Sequence, residues 1–374
     1  LGSWRSTLVV VASIPLAVEM GFDFYALNLD EIYPFSKFDA ATSTHSPSHW
    51  DEAVFAAVRA SALKSAEAYS RDLAVDHYIL RDEYHLLPEM LKDKSPVTLE
   101  AFRGFLKAQY GTLAGLNAQW ETGFKDWSEI ATPSEKDVCA WMDWVSFWNE
   151  LMIRHLTVCR DAVRQFNPRA QVGLSGTQRP SARGGMDWPR LLKVASYFHR
   201  YNHFQEDWMQ SFGGPEVVQG QWEGYGSASE GAARHSIWSN LLSGSRLIAY
   251  YKLMLSTAPN QDMGPASHDL RLRPYYEFVA DEMPRVQRGI GRLVLACAPR
   301  VDPIALYYSQ PSCALPEAMR VDTLGATYAL KRLLEDCGFR HSVVDGREVA
   351  AGALRGGAVK VLFLPQVAAL SSSE

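Results

Sequence analysis

Up to about residue 255, short apolar runs alternate with longer helical patterns, and each run ends abruptly in charged or aromatic residues. An apolar run covered on both faces marks a buried parallel strand. Strand–helix alternation predicts repeated βα units around a parallel sheet. The sharpest case is Tyr78-Ile-Leu-Arg-Asp-Glu-Tyr-His85, where the apolar stretch from Val75 to Leu80 delivers Arg81, Asp82, Glu83, Tyr84 and His85 together. Barrels of this type keep their chemistry at the carboxyl ends of the strands, so Glu83 is the first candidate for a catalytic carboxylate. A strand-end Glu can equally cap the next helix or pair with Arg81.

Strand-like runs occur at 22–29, 75–80, 171–175, 201–204, 217–221 and 247–251, with a further apolar stretch at 7–12. Six such units are two short of the eight that close a barrel. The expected fold is therefore an α/β (β/α)8 TIM barrel lacking its first strands. Helical patterns fall at 53–73, 99–110, 138–166 and 231–242. The strand ends would gather Asp30, Glu83, Ser175, Glu206, Asp207, Trp222, Glu223 and Lys252 on one rim. After Gly289-Ile-Gly291 the texture changes to strand (302–308), helix (323–337) and two further strands (341–345 and 359–365), the start of an open α/β domain. The domains are accordingly placed at 1–298 and 299–374. With Leu rather than Met at position 1 and Ser-Ser-Ser-Glu after the last strand, the chain reads as a fragment cut at both ends.

Composition narrows the function class. A net charge of −5 with no arginine-rich run argues against a nucleic-acid partner. The apolar stretch 8–12 is far too short to span a membrane. Five scattered cysteines without a CxxC pair exclude a disulfide framework or zinc ribbon as the organising principle. His77, His85, His199 and His203 show no metal-ligand spacing and are expected to be solvated or core imidazoles. Neither Gly184-Gly185 nor Gly213-Gly214 sits in a phosphate-cradling frame. The compartment stays undecided, a cytoplasmic one being preferred. With 11 Trp, 16 Tyr and 16 Phe the chain has aromatic faces on which sugar rings could stack, although a large core uses them too.

Glycoside hydrolysis needs two carboxylates across the scissile bond, a general acid and, in retaining enzymes, a nucleophile. Glu83 and Glu223 both end strand-like runs, at a spacing that suits strands three units apart. Trp222 and Tyr225 beside Glu223, with Trp208, are candidates for a sugar-stacking wall. Asp30, Glu31, Glu206 and Asp207 occupy similar positions, where salt bridges and helix caps are the expected roles.

A longer pattern adds to this pair. Phe102, Phe105-Leu-Lys-Ala-Gln-Tyr-Gly-Thr-Leu113, Leu116-Asn-Ala-Gln-Trp120 and Trp127-Ser-Glu-Ile130 follow the strand that ends in Asp82-Glu83-Tyr84. Further on stand Glu223, Arg234, Trp238, Leu242-Ser-Gly-Ser-Arg-Leu-Ile-Ala-Tyr-Tyr251 and His268-Asp-Leu-Arg-Leu-Arg-Pro-Tyr-Tyr-Glu277. Together these resemble the glycoside hydrolase family 42 β-galactosidases over most of residues 20–374. The resemblance implies a retaining hydrolase with Glu83 as acid/base and Glu223 as nucleophile. It implies a galactoside or related oligosaccharide as substrate, no cofactor, and a flavodoxin-like trimerisation domain beginning near Asp302, so that the full-length protein would be a homotrimer.

Three positions depart from the family. Asp82 stands where an Asn would contact the sugar 2-hydroxyl, Leu86 to Thr98 lacks the zinc-binding cysteines, and the last strand ends in Tyr250-Tyr-Lys252. No structural zinc is therefore expected. Asp82 keeps two alternatives open: a hydrolase of another β-glycoside, or a degenerate barrel that binds carbohydrate without turnover. An interaction protein built on the trimerisation-like domain is a third. The fragment on its own is expected to be inactive or poorly folded.

Overall fold

The computed structural model describes residues 26–28, 36–70, 77–201, 205–214, 217–223, 229–250, 271, 274–297 and 299–370. Its main sheet contains β1 (Ala26–Asn28), β4 (His77–Asp82), β5 (Gln171–Thr177), β6 (Tyr197–Arg200), β7 (Val218–Glu223) and β8 (Leu247–Tyr250), while β2 (Lys37–Asp39) and β3 (Thr44–Ser46) form a separate hairpin. All six strands are parallel and neighbour one another in chain order, the arrangement that successive βα units produce. The expected strand at 7–12 lies outside the described residues.

Period-two alternation decides which side chains face which layer. Ile79, Tyr197, Val218, Trp222 and Leu247 cluster on one face of the sheet, whereas Tyr78, Leu80, Val172, Leu174 and Phe198 join the core beneath the helices. Gly173 is obligatory at its close strand crossing, since a Cβ there would lie 1.4 Å from the Tyr197 carbonyl oxygen. β6 falls at 197–200, just before the expected run at 201–204, of which residues 202–204 lie outside the described residues. Its His199 and Arg200 are fully buried, so a strand that carries an imidazole and a guanidinium inward does not read as an apolar run.

Four helices before β5 build the thickest part of the core: α1 (Glu52–Ser70), α2 (Pro96–Tyr110), α3 (Leu113–Trp120) and α4 (Val138–Phe166). α4 buries Trp144 and Trp148 completely, Trp50 stacks on Phe147 at 4.2 Å, and Phe102 meets Trp144 edge-on at 4.8 Å. Most of the aromatic excess here is core. The Tyr110–Trp120 motif also has a packing role. Tyr110 Oη and Trp120 Nε1 donate to Asp143 at 2.6 and 2.8 Å, joined by Gln109 Nε2 at 2.9 Å. Gly111, at φ +70°, ends α2, and Thr112 caps α3 by accepting from the Gly115 N–H at 3.1 Å.

In the segment where the family resemblance implied zinc-binding cysteines, Asp93 is wholly buried. It accepts from the His45 N–H at 3.2 Å, the Ser95 N–H at 2.9 Å, the Thr98 hydroxyl at 2.6 Å and the Ser95 hydroxyl. This carboxylate ties the β2–β3 hairpin to the loop after β4. Burial alone would raise its pKa, but hydrogen bonds from His45, Ser95 and Thr98 outweigh burial and hold it at about 2.

Beyond β5 come α5 (Trp188–Val194), α6 (Gln205–Trp208), α7 (Glu230–Leu242) and α8 (Pro274–Arg288). A second parallel sheet has the order β10 (Ser342–Asp345), β9 (Ile304–Tyr308), β11 (Val361–Phe363), with α9 (Thr323–Asp336) following β9. It seats on the back of the first through Tyr308, which packs against Trp208 at 5.0 Å and Phe212 at 6.0 Å. Polar contacts flank that patch. Arg347 reaches both Asp187 oxygens at 3.2 and 2.6 Å, and the Val343 N–H donates to Ser211 Oγ at 2.9 Å.

Three core histidines give a pH signature. Burial lowers His49 to about 4, assisted by His45; it lowers His155 to about 3, assisted by His49 and Arg154, and His199 to about 3, assisted by His77. Their native states resist protons that the unfolded chain binds near pH 6.5, so stability is full above that pH and declines as pH falls through the native values. The melting temperature is expected to fall steadily from pH 7 to pH 4, as followed by circular dichroism. Asp93→Ala should cost about 2–4 kcal/mol in urea titration at pH 7, because it orphans buried donors.

Candidate active site

Glu83 lies just beyond β4 in a left-handed backbone conformation, φ +48°. A non-glycine residue held there is strained, and such strain persists only where the surroundings impose it. The restraints are visible. The Glu83 N–H donates to the Ser175 carbonyl at 3.0 Å, and His85 Nδ1 lies 2.5 Å from the Glu83 carbonyl oxygen. Tyr201 Oη donates to Glu83 Oε1 at 3.0 Å. Beneath them Gly176, at φ +55°, leaves no room for a side chain: a Cβ would stand 2.8 Å from Asp82 Oδ1 and 2.9 Å from both Glu83 Cγ and Tyr201 Oη.

Three strand steps away, β7 carries Trp222 and Glu223 in opposite phases of the pleat. Trp222 turns into the sheet's inner cluster, where its indole N–H donates to Ser175 Oγ at 2.9 Å and its ring meets His199 edge-on at 5.2 Å. Glu223 is held against α7, its Oε1 accepting from Asn240 Nδ2 at 3.1 Å. Ser175 thus joins the two ends of the site, through its carbonyl to Glu83 and through its hydroxyl to the residue before Glu223. Cα partners run from Arg81 through Leu174 and Phe198 to Gln219. Glu83 lies two residues beyond that line and Glu223 four. Barrel strands slip by about one residue each, so an offset of this size is what stagger alone introduces over three steps.

A polar knot underlies Glu223. Arg200 is completely buried, and its guanidinium donates to Gln221 Oε1 at 2.5 Å, Asn240 Oδ1 at 3.0 Å and Ser245 Oγ at 2.6 Å, with Glu206 Oε1 at 3.0 Å. Burial pulls the Arg200 pKa down, against the opposing charges of Glu206, Glu223 and Asp207.

The other sequence candidates separate. Glu206 and Asp207 are ion-paired to Lys331 at 3.7 and 2.8 Å, the salt-bridge role expected for them. Asp82 is exposed beside Glu83. Trp208 does not line a cleft: at 1% exposure, packed on Trp188 at 5.8 Å and on Tyr308, it is core between the two sheets. A large indole beside two acidic residues reads as a sugar platform in sequence, whereas its helix turns it to the apolar seam. Tyr225, Asp30, Glu31, Lys252 and His203 lie outside the described residues. Tyr201, Asn240 and Arg200 were not singled out from the sequence, and only Gly176, a glycine interrupting an apolar strand, carried a signal of close approach. Among the described residues no group of three or more His, Cys, Asp or Glu could hold a metal, and no helix is long and apolar enough to cross a membrane.

A family profile described as β-galactosidase, glycoside hydrolase family 42, matches residues 42–266, more than half of the chain. The chain belongs to this family. Solved structures of similar fold include a β-galactosidase from psychrophilic Marinomonas ef1, with TM-score 0.72 and 14% identity over 96% of this chain and 64% of that one. Another is a β-galactosidase from Bacillus circulans sp. alkalophilus, with TM-score 0.72 and 16% identity over 94% and 58%. A family 42 exo-carrageenase from Bacteroides ovatus aligns over 100% of this chain and 60% of that one, with TM-score 0.67 and 12% identity. The chain therefore spans less than two-thirds of the length of these structures. No curated protein matches it by sequence. These barrels identify the six-stranded sheet as TIM-barrel architecture.

Gly176→Ala is expected to destabilise the family 42 barrel by about 1–3 kcal/mol, since it adds both a left-handed φ penalty and a clash. Urea unfolding of the variant measures this. An unchanged midpoint would mean that the loop holding Glu83 yields freely.

Proposed function

We propose that the protein containing this chain is a retaining β-galactosidase-type glycoside hydrolase, with Glu83 as general acid/base and Glu223 as nucleophile. The single supporting observation is the Ser175 bridge, which ties the strained backbone of Glu83 and the residue preceding Glu223 to one strand end. In this mechanism the Glu223 carboxylate attacks the anomeric carbon while Glu83 gives its proton to the departing glycosidic oxygen. Water, deprotonated by Glu83, then cleaves the glycosyl ester and frees Glu223. Asp82 would meet the sugar near its 2-hydroxyl, Trp222 and Tyr225 would line the subsite, and Tyr201 would orient the Glu83 carboxyl. Assembly of the full-length protein as a homotrimer through the second sheet is part of the same proposal.

A second reading, a hydrolase of a different β-glycoside, is favoured by Asp82. A carboxylate in place of an amide accepts from a hydroxyl but donates nothing, so a sugar presenting an acceptor at that position would be refused. The likeness in fold to the exo-carrageenase is compatible with such a shift in substrate.

The proposal requires the two carboxyl groups to lie about 5–5.5 Å apart in a crystal structure of the full-length protein. Glu223→Ala should lower hydrolysis of an aryl β-galactoside by roughly 10³-fold or more, with turnover partly restored by azide entering the vacated space and leaving as the glycosyl azide. Glu83→Ala should spare substrates with good leaving groups, such as dinitrophenolate, and lose poor ones. Full hydrolysis by the Glu223 variant would remove its assigned role. Turnover confined to another aryl β-glycoside would select the second reading.

A further inference from the structure

The two sheets are joined by a chain of charged and polar groups that ends at Glu223. Lys331 on α9 is 3% exposed and contacts Asp207 at 2.8 Å, Glu335 at 3.1 Å and Glu206 at 3.7 Å. Glu206, itself 4% exposed, passes to Arg200 at 3.0 Å. Arg200 passes to the buried Asn240 side chain at 3.0 Å, and the Asn240 amide donates to Glu223 at 3.1 Å. His341, just before β10, lies 3.3 Å from Asp207 on the same knot. A cavity of about 320 Å³ opens along this seam, bounded by Glu206, Asp207, Lys331, Glu335, Arg340 and His341.

Each link has a physical reason to hold its neighbour. The Asn240 carbonyl oxygen is engaged by Arg200, which fixes the amide in the orientation that presents its N–H₂ to Glu223. The Arg200 guanidinium is sealed from bulk solvent, so its position follows Glu206, Gln221 and Ser245. Glu206 sits between two cations, Arg200 from β6 and Lys331 from α9, and its carboxylate is shared between them.

We infer that Asn240 and Arg200 are positioning residues for the Glu223 carboxylate and that Lys331 makes this positioning depend on docking of the second sheet. The inference rests on Glu223 being the nucleophile. The second sheet is then part of the apparatus that keeps the nucleophile oriented, in addition to any role in assembly.

Among the described residues, Asn240 from α7 touches Glu223, and Arg200, Glu206 and Lys331 stand behind it. Removing the amide donor frees the Glu223 carboxyl to turn from its position, so kcat should fall while substrate binding is largely kept.

The test uses the full-length protein and p-nitrophenyl β-galactoside. Asn240→Ala is expected to lower kcat by about 10–100-fold with KM within about threefold. Lys331→Met should lower kcat by less, again with KM kept, and should add little in the Asn240→Ala background because both act through one carboxylate. Arg347→Ala, which cuts the Asp187 contact without touching the chain of links, should leave kcat in place. Circular dichroism and gel filtration confirm folding, and Asn240→Ser, which keeps a small donor, should recover part of the activity lost in Asn240→Ala. A kcat unmoved in both Asn240→Ala and Lys331→Met, or full additivity of the two, overturns the inference. Undiminished hydrolysis by Glu223→Ala overturns the nucleophile assignment instead, so the two failures are distinguishable.

Discussion

A guanidinium sealed from bulk solvent needs partners within the protein, and Arg200 sets that constraint on the carboxyl half of the barrel. Its partners come from β6's neighbour β7 through Gln221, from α7 through Asn240, from the turn before β8 through Ser245 and from α6 through Glu206. Leaving such a charge unpaired would cost several kcal/mol, which is a large fraction of a domain's net stability. The strands and helices around it are therefore fixed relative to one another by polar geometry as well as apolar burial. The Glu223 carboxylate inherits that precision, because its amide donor is one of the groups Arg200 holds.

The amino half of the same barrel is organised differently. Here α1, α2 and α4 interlock Trp50, Phe102, Trp144, Phe147 and Trp148, and two buried carboxylates, Asp93 and Asp143, gather the donors that apolar packing leaves over. Glu83 emerges from this rigid block in a backbone conformation that only a firm surround can sustain. Ser175 links the strained Glu83 backbone to Trp222, the residue before Glu223. A site assembled from rigid elements keeps reacting groups in place without ordering them at the moment of reaction.

Family membership and chemistry are carried by different residues. The Tyr110–Trp120 stretch that most strongly marks the family serves to cap, turn and anchor helices around Asp143. The short Asp82-Glu83-Tyr84 and Trp222-Glu223 stretches, which say little by themselves, supply the groups on which the proposed chemistry depends. Asp82, one of the positions that depart from the family, stands exposed beside Glu83.

By itself the sequence determined the parallel α/β layout, most strand ends, the helices 96–110, 138–166 and 323–336, and the two carboxylates at rim positions. Apolar periodicity and strand-end bursts are local signals, and they survive in one dimension. Tertiary structure decided what each polar or aromatic residue does there. Trp208 proved to be core at the seam between sheets, β6 proved to hide His199 and Arg200 inside a strand, and Tyr201 and Asn240 proved to be partners of the two glutamates. Those roles depend on groups brought together from distant positions, as in the contact between Lys331 and Asp207 across 124 residues, and no window of sequence contains them.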